Sequence, residues 1–290
     1  MRYAIFLTAC LFAGFCFGQS PEERKRLLDP RNYANGMTFV DDAELQIRGS
    51  DISKYTVLDT AWLVALYRYR HPYSSKRRKE DGERMKLEIG KRITAFYSRD
   101  LYETDSLYTI YNRGISANNC ACMVYARREQ GYFEVINRMP FRSDAAILVE
   151  DSDMPEWRIG TEEMIILGYR CLRATAFYCG REWVVWFTYE IPVAAGPWKL
   201  CNLPGLILRA EDGTGDYIFE CEALQHDKSL IRKYEWHYTR MKKNAWLAFE
   251  KRMYMAPFSL FGENTLIISG KKGGRLDDTW TIPYNPIELE

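Results

Sequence analysis

Two pairs of β-branched and aromatic runs, each pair folded back at a glycine-containing turn, constrain this chain more than any other feature. Met164 to Tyr178 leads through Cys179-Gly180-Arg181-Glu182 into Trp183 to Glu190, which is the pattern of a β-hairpin. Shortly after, Leu206-Ile207-Leu208-Arg209-Ala210 joins Asp216-Tyr217-Ile218-Phe219-Glu220-Cys221 through Asp212-Gly213-Thr214-Gly215. Asp and Gly suit the positive backbone angles of such a turn. The spacing of a helix-loop-helix calcium site is absent, so Glu211, Asp212 and Asp216 read as turn chemistry. Upstream, Lys54 to Arg70 ends in alternation, with Leu66, Arg68 and Arg70 on one face and Tyr67 and Tyr69 on the other. Met85-Lys86-Leu87-Glu88-Ile89 alternates in the same way, as a half-buried strand must. Helical spacing is scarcer. Tyr238 to Met253 aligns Trp246, Phe249 and Met253, and Leu101 to Asn112 fits a shorter helix. With no internal repeat or linker, residues 19–290 are expected to form one mainly β (α+β) domain. Its expected core is a single curved antiparallel sheet, a half-barrel being one form of it, packed around one or two helices.

The start of the chain points to export. Met1-Arg2-Tyr3, the apolar run Ala4 to Phe17, and Gly18 before Gln19 read as a signal peptide over residues 1–18. That run is short for a bilayer span, which needs roughly 20 apolar residues, and no later stretch is a better candidate for a transmembrane segment. Leu7-Thr8-Ala9-Cys10 has the spelling of a lipidation box, but too little apolar sequence precedes it. Loss of Arg2 lowers the 40 Lys and Arg to 39, against 39 Asp and Glu. A chain that grips nucleic-acid phosphates is normally distinctly basic, so that class is excluded. The basic run Lys76-Arg77-Arg78-Lys79 is offset by Glu80, Asp81 and Glu83 and reads as a solvated loop.

The segment Ile191 to Leu208 is unusual in its density of Pro, Gly and aromatic residues. Gly196-Pro197-Trp198-Lys199 precedes Asn202-Leu203-Pro204-Gly205-Leu206-Ile207. This resembles the signature of the GLPGLI family, exported proteins of Bacteroidetes-type bacteria, with Asn202 where that signature has its first glycine. Leu87-Glu88-Ile89-Gly90, Phe96-Tyr97-Ser98, Gly168-Tyr169-Arg170-Cys171, Gly180-Arg181-Glu182-Trp183 and the tail Asn285-Pro286-Ile287-Glu288-Leu289 also look like the family. The resemblance implies an exported, β-rich protein of the periplasm or outer membrane of a Gram-negative cell, and it supplies no activity.

Asparagine is the residue that best follows glycine into left-handed backbone, so Asn202 is expected there or in a turn. Pro204-Gly205 fits the centre of a type II turn, and Gly196-Pro197 supplies another bend. Two readings of Pro197, Trp198, Asn202, Leu203, Pro204 and Gly205 stay open. They form either a sheet corner plugging the core or the rim of an apolar groove for a lipid, peptide or outer-membrane protein.

Eight cysteines fall to six after cleavage: Cys120, Cys122, Cys171, Cys179, Cys201 and Cys221. In an oxidising compartment an even count suggests disulfides. Cys201 with Cys221 or Cys171 is the pairing the hairpins favour, while Cys171 and Cys179 share a strand. His71, His226 and His237 make no zinc set with them, and no metal or cofactor is implied. Gly-x-Ser-x-Gly and His-Glu-x-x-His are both missing. The acidic pairs Asp151/Asp153 and Asp277/Asp278 sit in polar stretches where carboxylates are normally solvated. The expected role is a non-catalytic binding or assembly module. The alternative is a periplasmic enzyme whose site forms only in three dimensions, from a histidine beside carboxylates.

Overall fold

A computed structural model describes residues 37–40, 47–72, 82–112, 115–116, 120–140, 144–151, 153–256, 266–269, 274–275 and 281–290. The expected signal peptide, the basic run and Asp277/Asp278 lie outside these residues. The strands are β1 (Met37–Val40), β2 (Ile47–Arg48), β3 (Tyr55–Arg70), β4 (Glu83–Gly90), β5 (Ile93–Ser98), β6 (Ile115–Ser116), β7 (Cys122–Arg127), β8 (Tyr132–Arg138) and β9 (Ala145–Asp151). They continue as β10 (Arg158–Ile166), β11 (Tyr169–Tyr178), β12 (Arg181–Thr188), β13 (Leu206–Asp212), β14 (Ile218–Gln225), β15 (Leu230–Tyr234), β16 (Tyr238–Arg240), β17 (Leu266–Ser269) and β18 (Gly274–Arg275). Helix α1 is Arg99–Tyr111 and helix α2 is Lys243–Met255.

Thirteen strands join one open sheet in the order β10-β11-β12-β13-β14-β3-β4-β5-β7-β8-β9-β16, with β15 also on β3. Its pairings are antiparallel except for β16 beside β9. A twisted sheet wider than about ten strands must curl, and this one does. Residues from both halves, such as Leu148 on β9 and Val185 on β12, bury into one core cluster. Alternation explains the layering: Leu63, Ala65, Tyr67 and Tyr69 of β3 face that core. Val64 faces a second cluster on the opposite side, with Tyr125, Ile136 and Ile231. Trp246 and Met253 of α2 cap the main core, in the spacing expected from sequence. Helix α1 starts at Ser98, whose hydroxyl accepts the Leu101 amide at 3.0 Å, and it ends on Asn112 in left-handed backbone.

Three expectations about local structure are corrected. Met164 to Tyr178 is not one strand: Leu167 and Gly168, at φ 51° and 85°, turn β10 into β11. Tyr238–Arg240 is not helical; it forms the parallel strand β16, and α2 begins only at Lys243. Gly205 also lacks the positive φ that a type II turn requires. Its role is one of space, since a Cβ there would lie 2.0 Å from the Thr188 carbonyl oxygen. Positive φ falls instead on Asn202, at 70°, as expected, and on Trp198, at 55°.

Candidate functional site

Most of the corner segment belongs to the core. Trp198 and Leu203 are only 6% and 2% exposed, and Pro197 and Gly205 are buried, whereas Asn202 and Pro204 face outward. Trp198 packs 5.9 Å from Trp183 and 6.0 Å from Tyr178, centroid to centroid. These apolar side chains therefore plug the sheet corner and line no open groove.

Beside them three of the pieces of sequence that carried the family resemblance, around Arg181, Lys199 and Glu288, converge on one polar cluster. Lys199 Nζ bonds Glu150 of β9 at 2.6 Å and Glu288 of the tail at 2.7 Å, and Lys243 of α2 reaches Glu288 at 2.8 Å. Arg181 pairs with Asp212 at 2.7 Å and donates to the carbonyls of Pro286 and Ile287. Burial alone would depress the Lys199 ammonium, but Glu288 and Glu150 outweigh it and hold its pKa above the ordinary value. Burial likewise opposes ionisation of Glu288, and Lys199 with Lys243 outweighs it, lowering the carboxyl. The cluster clamps the tail, with Lys199, Arg181 and Asp212 buried within it, so its role is structural.

The six described cysteines are free, with no disulfide between them. Their sulfurs face other partners: Cys201 Sγ lies 3.2 Å from Met154 Sδ, Cys179 Sγ meets Glu288, and Cys171 and Cys221 turn to the carbonyls of Tyr169 and Ala223. Burial pushes Cys120, Cys179, Cys201 and Cys221 up to about 12 and Cys171 to about 11. Thiols so protonated are poor nucleophiles.

Under α2 a cavity of about 140 Å³ is lined by His71, Cys120, Tyr217, Glu250 and the tail residues Pro286 and Ile287. His71 Nε2 stands 3.5 Å from the fully buried Glu83, while His226 and His237 are exposed. Burial, then the Glu288 charge, raises Glu250 to about 7. A carboxyl raised above its ordinary 4.5 binds its proton more tightly when folded, so stability falls as pH rises from about 4.5 to about 7. Glu250→Gln is expected to be about 2 kcal/mol more stable than the parent at pH 8, with little difference at pH 4.5. Urea unfolding at the two pH values checks this.

A larger opening lies on the sheet's other face, where β3 changes neighbours. β14 pairs with β3 from Val64 to Arg70, and β15 pairs with it from Tyr55 to Thr60. The link between them carries Asp227 and Ser229 over a cleft of about 450 Å³. Cross-strand register sets Leu66, Lys86 and Tyr97 in one row on its floor. Helix α1 contributes Arg99 and Tyr102, and β15 contributes Arg232 and Tyr234. Glu88 accepts from Lys86 at 2.7 Å and from Ser229 at 3.0 Å. The rings of Tyr97 and Tyr102 lie 6.1 Å apart. Burial and then Glu88 hold the Tyr97 hydroxyl well above its usual pKa, so it stays a neutral donor. The cleft combines aromatic surface, cations and carboxylates at a size typical of ligand pockets, roughly 300–1,000 Å³. Apart from Glu88 and Tyr97, which stood in sequence runs resembling the family, no motif marked these residues.

The chain is thus a mainly β protein built on one large open sheet. No protein-family model matches it, and no curated protein does. Among solved structures it is similar to PNGF-II in two crystal forms, P21 and C2, each with a TM-score of 0.49 and 14% identity. Each match covers 66% of this chain, which spans about a third of the other: 33% in the first form and 32% in the second. Among the described residues, no helix is long and apolar enough to cross a membrane.

Proposed function

We propose that this is an exported cell-envelope protein of the GLPGLI kind, working in the periplasm or at the outer membrane as a non-catalytic binding module. The observation that carries the reading is the cleft of about 450 Å³ between β4, β5, α1 and β15. Its mixed lining favours a small polar ligand over a lipid, one of the occupants left open by sequence, because Lys86, Glu88, Arg99 and Arg232 would lose water to an apolar occupant. Convergence of Arg181, Lys199 and Glu288 supports the family reading, since three of the quoted motifs then meet in one structural cluster.

Native mass spectrometry of protein purified from the source envelope tests the binding role. A polar adduct is expected on the wild-type chain and is expected to be lost from Tyr102→Ala, whose ring walls the cleft. A retained lipid would overturn the choice of ligand, and an adduct indifferent to Tyr102→Ala would overturn the choice of site.

An enzyme built on His71 and Glu83 is the weaker reading. His71 faces a cavity, but that cavity holds about 140 Å³, and the adjacent Cys120 thiol, at about 12, is protonated.

A further inference from the structure

We infer that the ligand of this cleft is a sugar acid, a polyhydroxylated molecule bearing one carboxylate; the inference rests on the cleft being the binding site. Charge accounting comes first. The lining holds three cations, Lys86, Arg99 and Arg232, and the question is which of them lacks a paired carboxylate. Lys86 is engaged by Glu88 at 2.7 Å, and Arg99 by Glu103 at 3.3 Å. Among the described residues no carboxylate pairs with Arg232, and its Nε is buried without a hydrogen-bond partner. Its guanidinium lies 4.8 Å over the Tyr55 ring, which fixes the plane, and its side chain bonds the Tyr234 hydroxyl. A planar fork held this way matches a carboxylate, which can accept two parallel N–H bonds. One cation without a paired carboxylate suits a monoanion, while Glu88 and Asp227 would repel a phosphate dianion.

The rest of the lining suits hydroxyl groups. Tyr97 presents a neutral hydroxyl, Tyr102 adds a second hydroxyl, and Asp227 and Gln225 supply acceptors at the rim. The Tyr102 ring in the lining offers apolar surface to the C–H face of a ring. An unsubstituted fatty acid would satisfy Arg232 and leave these polar groups unpaired at a cost.

Calorimetric titration of the mature protein with galacturonate, galactose, acetate and inorganic phosphate tests the inference. Galacturonate is expected to bind at least about tenfold more tightly than galactose, the strength of a charge-assisted pair. Arg232→Gln is expected to erase that difference, and Arg99→Gln, on the exposed start of α1, to reduce it less. Circular dichroism establishes that each variant is folded. Should Arg232→Gln fail to fold, unchanged selectivity in Arg99→Gln combined with tight galactose binding would count against the inference. Equal binding of galacturonate and galactose, or acetate or phosphate binding as tightly as galacturonate, would overturn it. If the adduct seen by native mass spectrometry still depends on Tyr102, the binding reading survives that result; if it does not, both fall together.

Discussion

Lys199→Met is expected to cost about 3–5 kcal/mol at pH 7, among the largest effects any single substitution in this protein will have. The ammonium is 1% exposed and sits between Glu150 and Glu288 at 2.6 and 2.7 Å. Deleting one member of a buried ionic set leaves charge without compensation, which is what makes such deletions severe. Lys243 remains 2.8 Å from Glu288, so the uncompensated burden falls mainly on Glu150. The pH dependence separates this cause from lost packing. In the parent, Glu288 is lowered, so its contribution is present above the ordinary carboxyl value of 4.5 and is lost as pH falls further. In Lys199→Met the two carboxylates prefer their protons and gain stability as pH falls. The gap between parent and variant is therefore expected to close on going from pH 7 towards pH 4. Adding Glu150→Gln and Glu288→Gln to Lys199→Met should recover part of the loss at pH 7. Urea unfolding across this range decides the matter, and a gap that does not change with pH would sink the electrostatic account.

The same cluster shows which parts of the molecule the sequence could express. β3 and β4 were legible because one face of each is buried and the period of two survives in their residues. Asn202 was legible because few side chains accept φ 70°. The turn at Leu167-Gly168 was hidden inside the run Met164-Ile165-Ile166-Leu167, which reads as continuous strand, and only Gly168 hinted at it. Tyr238–Arg240 looked helical because its partner, Ala145–Ile147 on β9, lies about ninety residues away. Cysteine parity pointed to disulfides, yet where each sulfur points is set by packing that parity does not encode. The cleft was hidden for a similar reason. Leu66, Lys86, Tyr97 and Arg232 meet through long-range register and the exchange of β14 for β15 along one edge of β3. Neither leaves a local pattern.

Gly205→Ala is expected to be the second severe substitution, at about 3 kcal/mol or more, and for a reason of space. An added Cβ would stand 2.0 Å from the Thr188 carbonyl oxygen and 2.6 Å from its carbon. Both are backbone atoms at the end of β12, so no side-chain rotation relieves the contact. Thr188 pairs directly with Leu206, the next residue. Relief therefore requires β13 to move, and with it the bonds from Leu206 to Ile191 and from Ile207 to Ala195, each 3.0 Å. Leu206 and Ile207 are completely buried, so that movement opens the core. Gly168→Ala provides the contrast: Gly168 has φ 85° but nothing within 4 Å of an added Cβ. Its expected cost is about 1–2 kcal/mol, from backbone conformation alone. Parallel urea unfolding of the two variants ranks steric against conformational demand. If Gly168→Ala proves the more damaging, close approach is not why this chain keeps glycine at position 205, and the corner between β12 and β13 is looser than its contacts imply.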